Sequence, residues 1–246
     1  MSGQTMSDWT PVLEKSGLEK IADSFKTSRL EDDERLLKSG LPVYNRITIP
    51  YLEFSQKNKK LIRFLEKYQS FVVRALPKPG KNLPRRPKVG LKSFEECEEF
   101  LRNLFSPGKE LYGNEKNYII SLVEHEPAIL AGVIISNPEK TVIEISDQGL
   151  AELSHGQITD AVNGVFAYHN NNHFRSMAYS TKDIEKRDFM WRALQYIRRD
   201  FRPDGLTDSD IFPEIQFWTG YFELVGTKKG RIVFWDYKIK EGYLKI

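Results

Sequence analysis

The second half of the chain carries strand-like runs separated by short turn sequences, and this pattern restricts the fold most. Six such runs cover residues 117–124, 130–136, 141–146, 162–168, 215–225 and 231–238. Two of the joints are short and rich in turn residues, Asn137-Pro138-Glu139-Lys140 and Thr227-Lys228-Lys229-Gly230. Such joints predict antiparallel hairpins, because a parallel connection needs a dozen or more residues.

Helices are predicted among these strands. Apolar residues recur at helical spacing in four segments, 30–39, 59–68, 93–105 and 180–201, and two further strand patterns lie at 43–49 and 71–76. Ser93-Phe94-Glu95-Glu96 is a capping box that predicts a helix start. Mixed helices and antiparallel hairpins indicate an α+β protein rather than a doubly wound one.

Composition sets the broad class. The chain has 246 residues, of which 40% are hydrophobic and 12% aromatic, so it can bury a sizeable core. No apolar run approaches the roughly 20 residues that span a bilayer, and the first ten residues lack the apolar segment of a secretory signal. The single cysteine, Cys97, excludes an intrachain disulfide, and its acidic neighbours favour an unreactive thiol. We expect a cytoplasmic protein that does not bind membranes, with an oligomeric state that the sequence leaves open.

A basic, proline-rich segment follows the strand pattern at 71–76. The net charge is only +3, but no acidic residue interrupts a basic set consisting of Lys78, Lys81, Arg85, Arg86, Lys88 and Lys92. Four prolines and a glycine between Pro77 and Pro87 predict an exposed loop, which we place at 77–92. The loop is either an ordinary solvated connection or a binding element for phosphates, RNA or an acidic partner.

Common catalytic signatures are missing, including the phosphate-binding loop GxxxxGK[ST], GxGxxG, GxSxG and HExxH. His169 and His173 are four residues apart, as two ligands on one helix face would be. The three asparagines between them disfavour a helix, so a polar loop is the better interpretation.

Several motifs occur in a consistent order along the chain. They are Gly40-Leu41-Pro42-Val43, then Val73-Arg74-Ala75-Leu76 with Leu83-Pro84 and Gly90, then 126–132 before an apolar run, then Val142-Ile143-Glu144-Ile145 with 153–159, and finally Gly220-Tyr221-Phe222-Glu223 with Ile232-Val233-Phe234-Trp235-Asp236. This ordered set resembles the ATP-binding domain of the phosphoenolpyruvate synthase and pyruvate phosphate dikinase family. The resemblance covers residues 36–238.

The resemblance implies an ATP-grasp-like α+β fold of two mixed lobes that binds ATP and Mg²⁺. The first residues are polar, so we place an N-terminal arm at 1–28, with one lobe at 29–110 and the other at 111–246. Arg74 would face the phosphates, with Lys78 and Lys81 in a basic flap. Glu124, Glu126 and Glu144 would contact the nucleotide, and the first two are the candidates for the ribose.

The metal ligands implied by the resemblance are Glu223 and Asp236. With Gly226 and Arg231 paired at the turn, Glu223 falls opposite Phe234, and Asp236 lies about 7 Å further along on the same face. The alternative is that these acids are cross-strand partners of basic residues such as Lys238 or Arg231. An Asp236 already paired with a lysine would argue against a kinase or ligase.

Departures from the family pattern limit what the resemblance implies. The glycine-glycine-lysine before Leu41 is missing, and Ala75-Leu76 replaces two serines. Asp236 and Lys238 replace a glutamine and an arginine, and the phosphohistidine and phosphoenolpyruvate domains are not encoded in these residues. We therefore expect an ATP-grasp-like nucleotide-binding protein. It is either an ATP-dependent phosphotransferase or ligase of unknown acceptor, or a non-catalytic module whose basic loop contacts RNA or an acidic protein.

Overall fold

The computed structural model describes residues 29–78, 81, 83, 86–106, 113–137, 140–154, 160–168, 174–198 and 218–238. The predicted arm at 1–28 and the histidines at 155, 169 and 173 lie outside these residues. The chain divides into two compact units, the first built mainly from Tyr44–Glu126 and the second from Asp32–Val43 and the residues from Pro127 onward. The predicted boundary at 110/111 falls inside the first unit, because the strand that follows it belongs to the first unit's sheet.

The elements alternate between strands and short helices along the chain. In order they are α1 (Arg29–Lys38), β1 (Arg46–Pro50), α2 (Tyr51–Ser55), α3 (Lys59–Lys67), β2 (Phe71–Pro77), β3 (Arg86–Leu91), α4 (Phe94–Leu104), a 3-10 turn (Glu115–Asn117), β4 (Tyr118–Glu124), β5 (Ala128–Ser136), β6 (Lys140–Ser146), α5 (Leu150–Ser154), β7 (Val162–Tyr168), β8 (Phe174–Tyr179), α6 (Ile184–Tyr196), β9 (Gly220–Thr227) and β10 (Ile232–Lys238). The predicted α+β class is confirmed.

The first unit contains a four-stranded antiparallel sheet in the order β1-β4-β2-β3. Alternate residues of β2, namely Phe71, Val73 and Ala75, pack with α3 and α4 in the apolar core of this unit. The capping box starts α4 as predicted, because the Ser93 hydroxyl accepts from the Glu96 N–H at 3.2 Å. The Glu96 carboxylate reaches back one residue further than expected, to the N–H of Lys92.

The predicted loop at 77–92 is shorter than expected. Pro77 is the last residue of β2, and Arg86–Leu91 forms β3, which pairs with β2 as an edge strand. An edge strand tolerates Pro87 because one side of the strand needs no hydrogen-bond donor. Gly90 has φ +78°, a conformation that glycine adopts readily, and it lies where the register shifts by one residue. The basic segment is therefore the connection and second strand of a hairpin.

The second unit contains a six-stranded antiparallel sheet in the order β10-β9-β5-β6-β7-β8. One face packs against α6 and α1, and its core includes Phe189, Leu194 and Leu36 together with Phe222 and Phe234. The other face carries a smaller apolar cluster of Ala131, Val133 and Leu153, the last from α5. Residues on β9 and β10 that point away from α6 therefore lie on the α5 side of the sheet.

Two elements of this unit differ from the predictions. The helix predicted at 180–201 begins at Ile184, because the Asp183 carboxylate caps the N–H groups of Glu185 and Lys186. The strand β8 was not predicted, and its central residues are exposed, so it lacks the alternation of a half-buried strand. Among the described helices, none combines the length and apolar character that a bilayer crossing requires.

Candidate functional site

Arg74 lies on the face of the four-stranded sheet that points away from the apolar core of the first unit. Its neighbours Val73 and Ala75 belong to that core, so the alternation of side chains along a strand places Arg74 on the opposite face. Ser121 of β4 pairs directly with Arg74, and Thr48 of β1 pairs with Ser121. Arg74 is 9% exposed and Ser121 is fully buried. A guanidinium and two hydroxyl groups therefore form a row across three strands.

The same face holds a second guanidinium and no carboxylate at its strand positions on β1, β2 and β4. Arg46 lies in the adjacent row, opposite Val123. The other positions of this face on the three strands are apolar: Pro50, Val72, Leu76, Ile119 and Val123. The Ser121 hydroxyl oxygen is buried and meets no hydrogen-bond partner in the part of the chain that the structure describes. Two arginines and a hydroxyl on one sheet face are chemically suited to an anionic group.

The two lysines of the predicted flap, Lys78 and Lys81, follow β2 and are exposed. The backbone N–H of Lys78 donates to the Asn117 carbonyl at 2.8 Å, and that of Lys81 donates to the Lys78 carbonyl at 3.1 Å. Arg85 lies outside the described residues. The role of both lysines at a phosphate stays a prediction.

Glu124 and Glu126 lie at the end of β4, just before the chain passes into the second unit. The Glu124 carboxylate accepts from the side-chain amide of Asn45 at 2.7 Å and from its backbone N–H at 3.3 Å. The Glu126 carbonyl accepts from the Tyr44 hydroxyl at 3.4 Å. Glu124 therefore holds the start of β1 against the end of β4, and a contact with a ribose stays a prediction for both acids.

His125, between these two acids, was not a predicted site residue. Its Nδ1 lies 3.1 Å from the Ser70 hydroxyl, and its backbone N–H donates to the Ser70 carbonyl at 3.0 Å. Burial holds the pKa of His125 below its usual value. The neutral imidazole is therefore the favoured form near neutral pH.

The three acids predicted on the C-terminal strands lie in one row of the six-stranded sheet. Asp236 pairs with Glu223, Glu223 with Val133, Val133 with Glu144, and Glu144 with Asn163. All lie on the α5 side, because Ile134, Ile143 and Phe222 point to the α6 side. Neighbouring strands are about 4.8 Å apart, so Glu144 lies roughly 10 Å from Glu223 in backbone terms. The structure thus places Glu223 and Asp236 together and leaves Glu144 two strands away.

The register predicted for this hairpin is wrong. Gly226 pairs with Ile232 rather than Arg231, and the pairing shifts by one more residue between Phe234 and Asp236. Trp235 is the extra residue of this bulge. Phe234 and Tyr237, three residues apart, both belong to the apolar core, and the bulge lets both point there. As a result Asp236 lies directly opposite Glu223, where side chains are closest.

Both carboxylates already have partners within the sheet. The Lys238 ammonium lies 2.6 Å from the Asp236 carboxylate, and the two side chains are 17% and 1% exposed. The Tyr221 hydroxyl donates to Glu223 Oε1 at 2.9 Å. Lys238 pairs directly with Tyr221, and its ammonium lies 5.5 Å from the centre of the Tyr221 ring. Tyr221 was not a predicted site residue. The sequence did carry a signal, because Tyr221 and Glu223 are two residues apart, as are Asp236 and Lys238, and residues two apart on a strand share one face.

The Mg²⁺ ligand set implied by the resemblance does not fit this arrangement. A hard dication needs the oxygens of several neutral or anionic ligands, whereas an ammonium group contacts Asp236 here. Within the described ranges, no three His, Cys, Asp or Glu side chains cluster as a metal site would require. The histidines at 155, 169 and 173 lie outside those ranges. Glu223 and Asp236 thus form an acidic pair in which Asp236 is already ion-paired with Lys238.

Comparison with known proteins gives similarities in three dimensions only. No family model and no curated protein matches the sequence. Similar solved structures include a D-alanine–D-alanine ligase from Coxiella burnetii (10% identity, TM-score 0.43, 98% of this chain and 57% of that one), a RiPP-associated ATP-grasp ligase from Chryseobacterium gregarium solved with ADP and a leader and core peptide (10%, 0.42, 88% and 53%), and a phosphoribosylamine–glycine ligase from Thermotoga maritima (14%, 0.41, 86% and 47%).

The chain spans about half the length of these structures. At these TM-scores the similarity assigns neither activity nor ligand. Specific membership of the phosphoenolpyruvate synthase and pyruvate phosphate dikinase family stays a prediction.

Proposed function

We propose that this protein binds a nucleotide and that the Arg74–Ser121 pair holds its phosphate. One observation carries the proposal: a buried guanidinium and a buried hydroxyl lie directly opposite each other on the sheet face that avoids the core. An arginine offers two parallel N–H donors to phosphate oxygens, and a neighbouring hydroxyl adds a third. The proposal covers binding only.

Ser121 supplies a hydroxyl group that the sequence next to Arg74 lacks. The two serines that follow the corresponding arginine in the resembled family are Ala75 and Leu76 here, and both are buried apolar residues. The structure supplies a hydroxyl beside Arg74 from β4 instead. Because it belongs to a central strand between β1 and β2, this hydroxyl is held in place more firmly than one on a loop.

A nucleotide is favoured over other anions by the ordered sequence motifs that surround Arg74, which run from Leu41 to Asp236. Phosphate transfer is outside the proposal, because Asp236 is paired with Lys238. No acceptor substrate is proposed.

The test is a thermal-shift series with ATP, ADP, AMP and GTP, each with and without Mg²⁺. A nucleotide at about 100 times its Kd should stabilise the fold by roughly 2.7 kcal/mol, which is a melting shift of about 5–11 °C for a protein of this size. Arg74→Met should abolish the shift, and Ser121→Ala should weaken binding by about tenfold, or roughly 1.4 kcal/mol. Arg63→Met, an exposed arginine of α3, is the matched control and should bind as the wild type does.

Each variant's melting temperature without nucleotide shows whether it is folded. No shift with any of the four nucleotides at millimolar concentration would overturn the proposal. So would an unchanged shift in a folded Arg74→Met protein.

A further inference from the structure

The hairpin of β9 and β10 carries four side chains that form a compact block on the α5 side of the sheet. Asp236 lies opposite Glu223, and Lys238 lies opposite Tyr221. Two contacts link the members along the strands, from Lys238 to Asp236 at 2.6 Å and from Tyr221 to Glu223 at 2.9 Å. The ammonium above the Tyr221 ring connects the two strands. The block therefore has two carboxylates and one built-in cation.

Burial strengthens the attraction between the Lys238 ammonium and the Asp236 carboxylate. Asp236 is 1% exposed and Lys238 is 17% exposed at the side chain, so water screens their attraction less than it screens an exposed pair. The Lys238 ammonium lies 5.5 Å from the centre of the Tyr221 ring, and a cation at this distance is attracted by the ring face. Lys238 is thus held toward the carboxylates by both of its neighbours.

We propose that the Lys238 ammonium takes the place of a divalent cation at the Glu223–Asp236 pair. A dication bound there would have to share the Asp236 carboxylate with an ammonium group of like charge, and the two would repel. The wild-type protein therefore has no divalent-cation site on this hairpin. Lys238 is a specificity-determining residue that makes the acidic pair independent of metal.

The inference does not rest on the proposed nucleotide binding, because its test uses Mn²⁺ alone. Binding of Mn²⁺ to the full chain is measured by the loss of the free-ion signal in electron paramagnetic resonance. Wild type and Lys238→Arg, which keeps a cation, should bind no Mn²⁺ at this pair up to about 1 mM, the weak end of protein sites for hard cations. Lys238→Asn removes the ammonium and adds an amide oxygen on a shorter side chain, so it should raise the affinity at least about tenfold.

Two further variants separate this inference from a structural ion pair. Lys238→Met keeps the stem and removes the charge, so it should also gain affinity, but less than Lys238→Asn. Adding Glu223→Gln to Lys238→Asn should remove the gain, which assigns the bound ion to this pair.

The inference is overturned if wild type binds Mn²⁺ and Glu223→Gln abolishes that binding. It is equally overturned if folded Lys238→Asn and Lys238→Met bind no more Mn²⁺ than wild type, since Lys238 is then an ordinary structural partner of Asp236. Wild type and Glu223→Gln decide the first point even where a Lys238 variant fails to fold.

Discussion

Asn45 and Glu124 are joined by three hydrogen bonds although 79 positions separate them in the chain. The Glu124 side chain accepts two, and its backbone N–H donates the third to the Asn45 carbonyl at 2.8 Å. The pair lies beside the first residue of β1 and at the last residue of β4. Since Glu124 is 8% exposed, a nearly buried carboxylate fastens the ends of two paired strands.

Glu124→Ala should destabilise the protein without ligand by about 2 kcal/mol, because it leaves the Asn45 amide without this acceptor. Urea denaturation of the variant measures the loss. Glu66→Ala, an exposed acid on α3, is the control and should change stability by about 0.5 kcal/mol or less. Equal stability of Glu124→Ala and wild type would contradict a structural role for Glu124.

Gly226 of β9 faces α6 at a distance that leaves no room for a methyl group. A Cβ at this position would lie 2.6 Å from the Phe189 ring, and Phe189 is 2% exposed in the core. Gly226→Ala should therefore destabilise the protein by about 2 kcal/mol through overpacking. Phe189→Leu removes the ring atoms that would clash, so the double variant should lose less stability than the sum of the two single variants. Additive losses, measured by denaturant titration, would count against this contact.

Cys97 is inert for a reason that the sequence indicated only in part. Burial, followed by the charges of Glu96 and Glu95, raises the pKa of the Cys97 thiol to about 12. A thiol reagent should not react with the native protein at pH 8 but should react at once in urea. Fast reaction of the folded protein would show that the thiol is accessible.

The same pKa shift predicts how stability depends on pH. An unfolded thiol ionises near pH 9.0, whereas the folded one stays protonated until about pH 12. Between these values the unfolded state binds fewer protons, so stability falls as pH rises. The slope that Cys97 contributes is at most about 1.4 kcal/mol per pH unit. Subtracting the slope of Cys97→Ala from that of wild type isolates it, and identical slopes would refute the shift.

Local patterns in the sequence were enough for most of the elements. The strands at 118–124 and 162–168 follow from short strand-like runs, and the start of α4 follows from a capping box, because these signals act within a few residues. β3 and β8 escaped prediction because both are sheet edges with mostly exposed side chains. Such strands exist through hydrogen bonds to a neighbouring strand, which no local pattern encodes.

The sequence by itself determined which chemical groups this protein has to work with: Arg74 in a strand, and Glu223, Asp236 and Lys238 on a terminal hairpin. Only the tertiary structure decided which of them meet. Ser121 stands beside Arg74 because β4 pairs with β2 in one register, and a slip of one residue would reverse its face. Asp236 stands opposite Glu223 because a bulge at Trp235 lets Phe234 and Tyr237 both enter the core. Burying both side chains stabilises the sheet more than an unbroken ladder of backbone hydrogen bonds would. This balance depends on packing across the whole sheet.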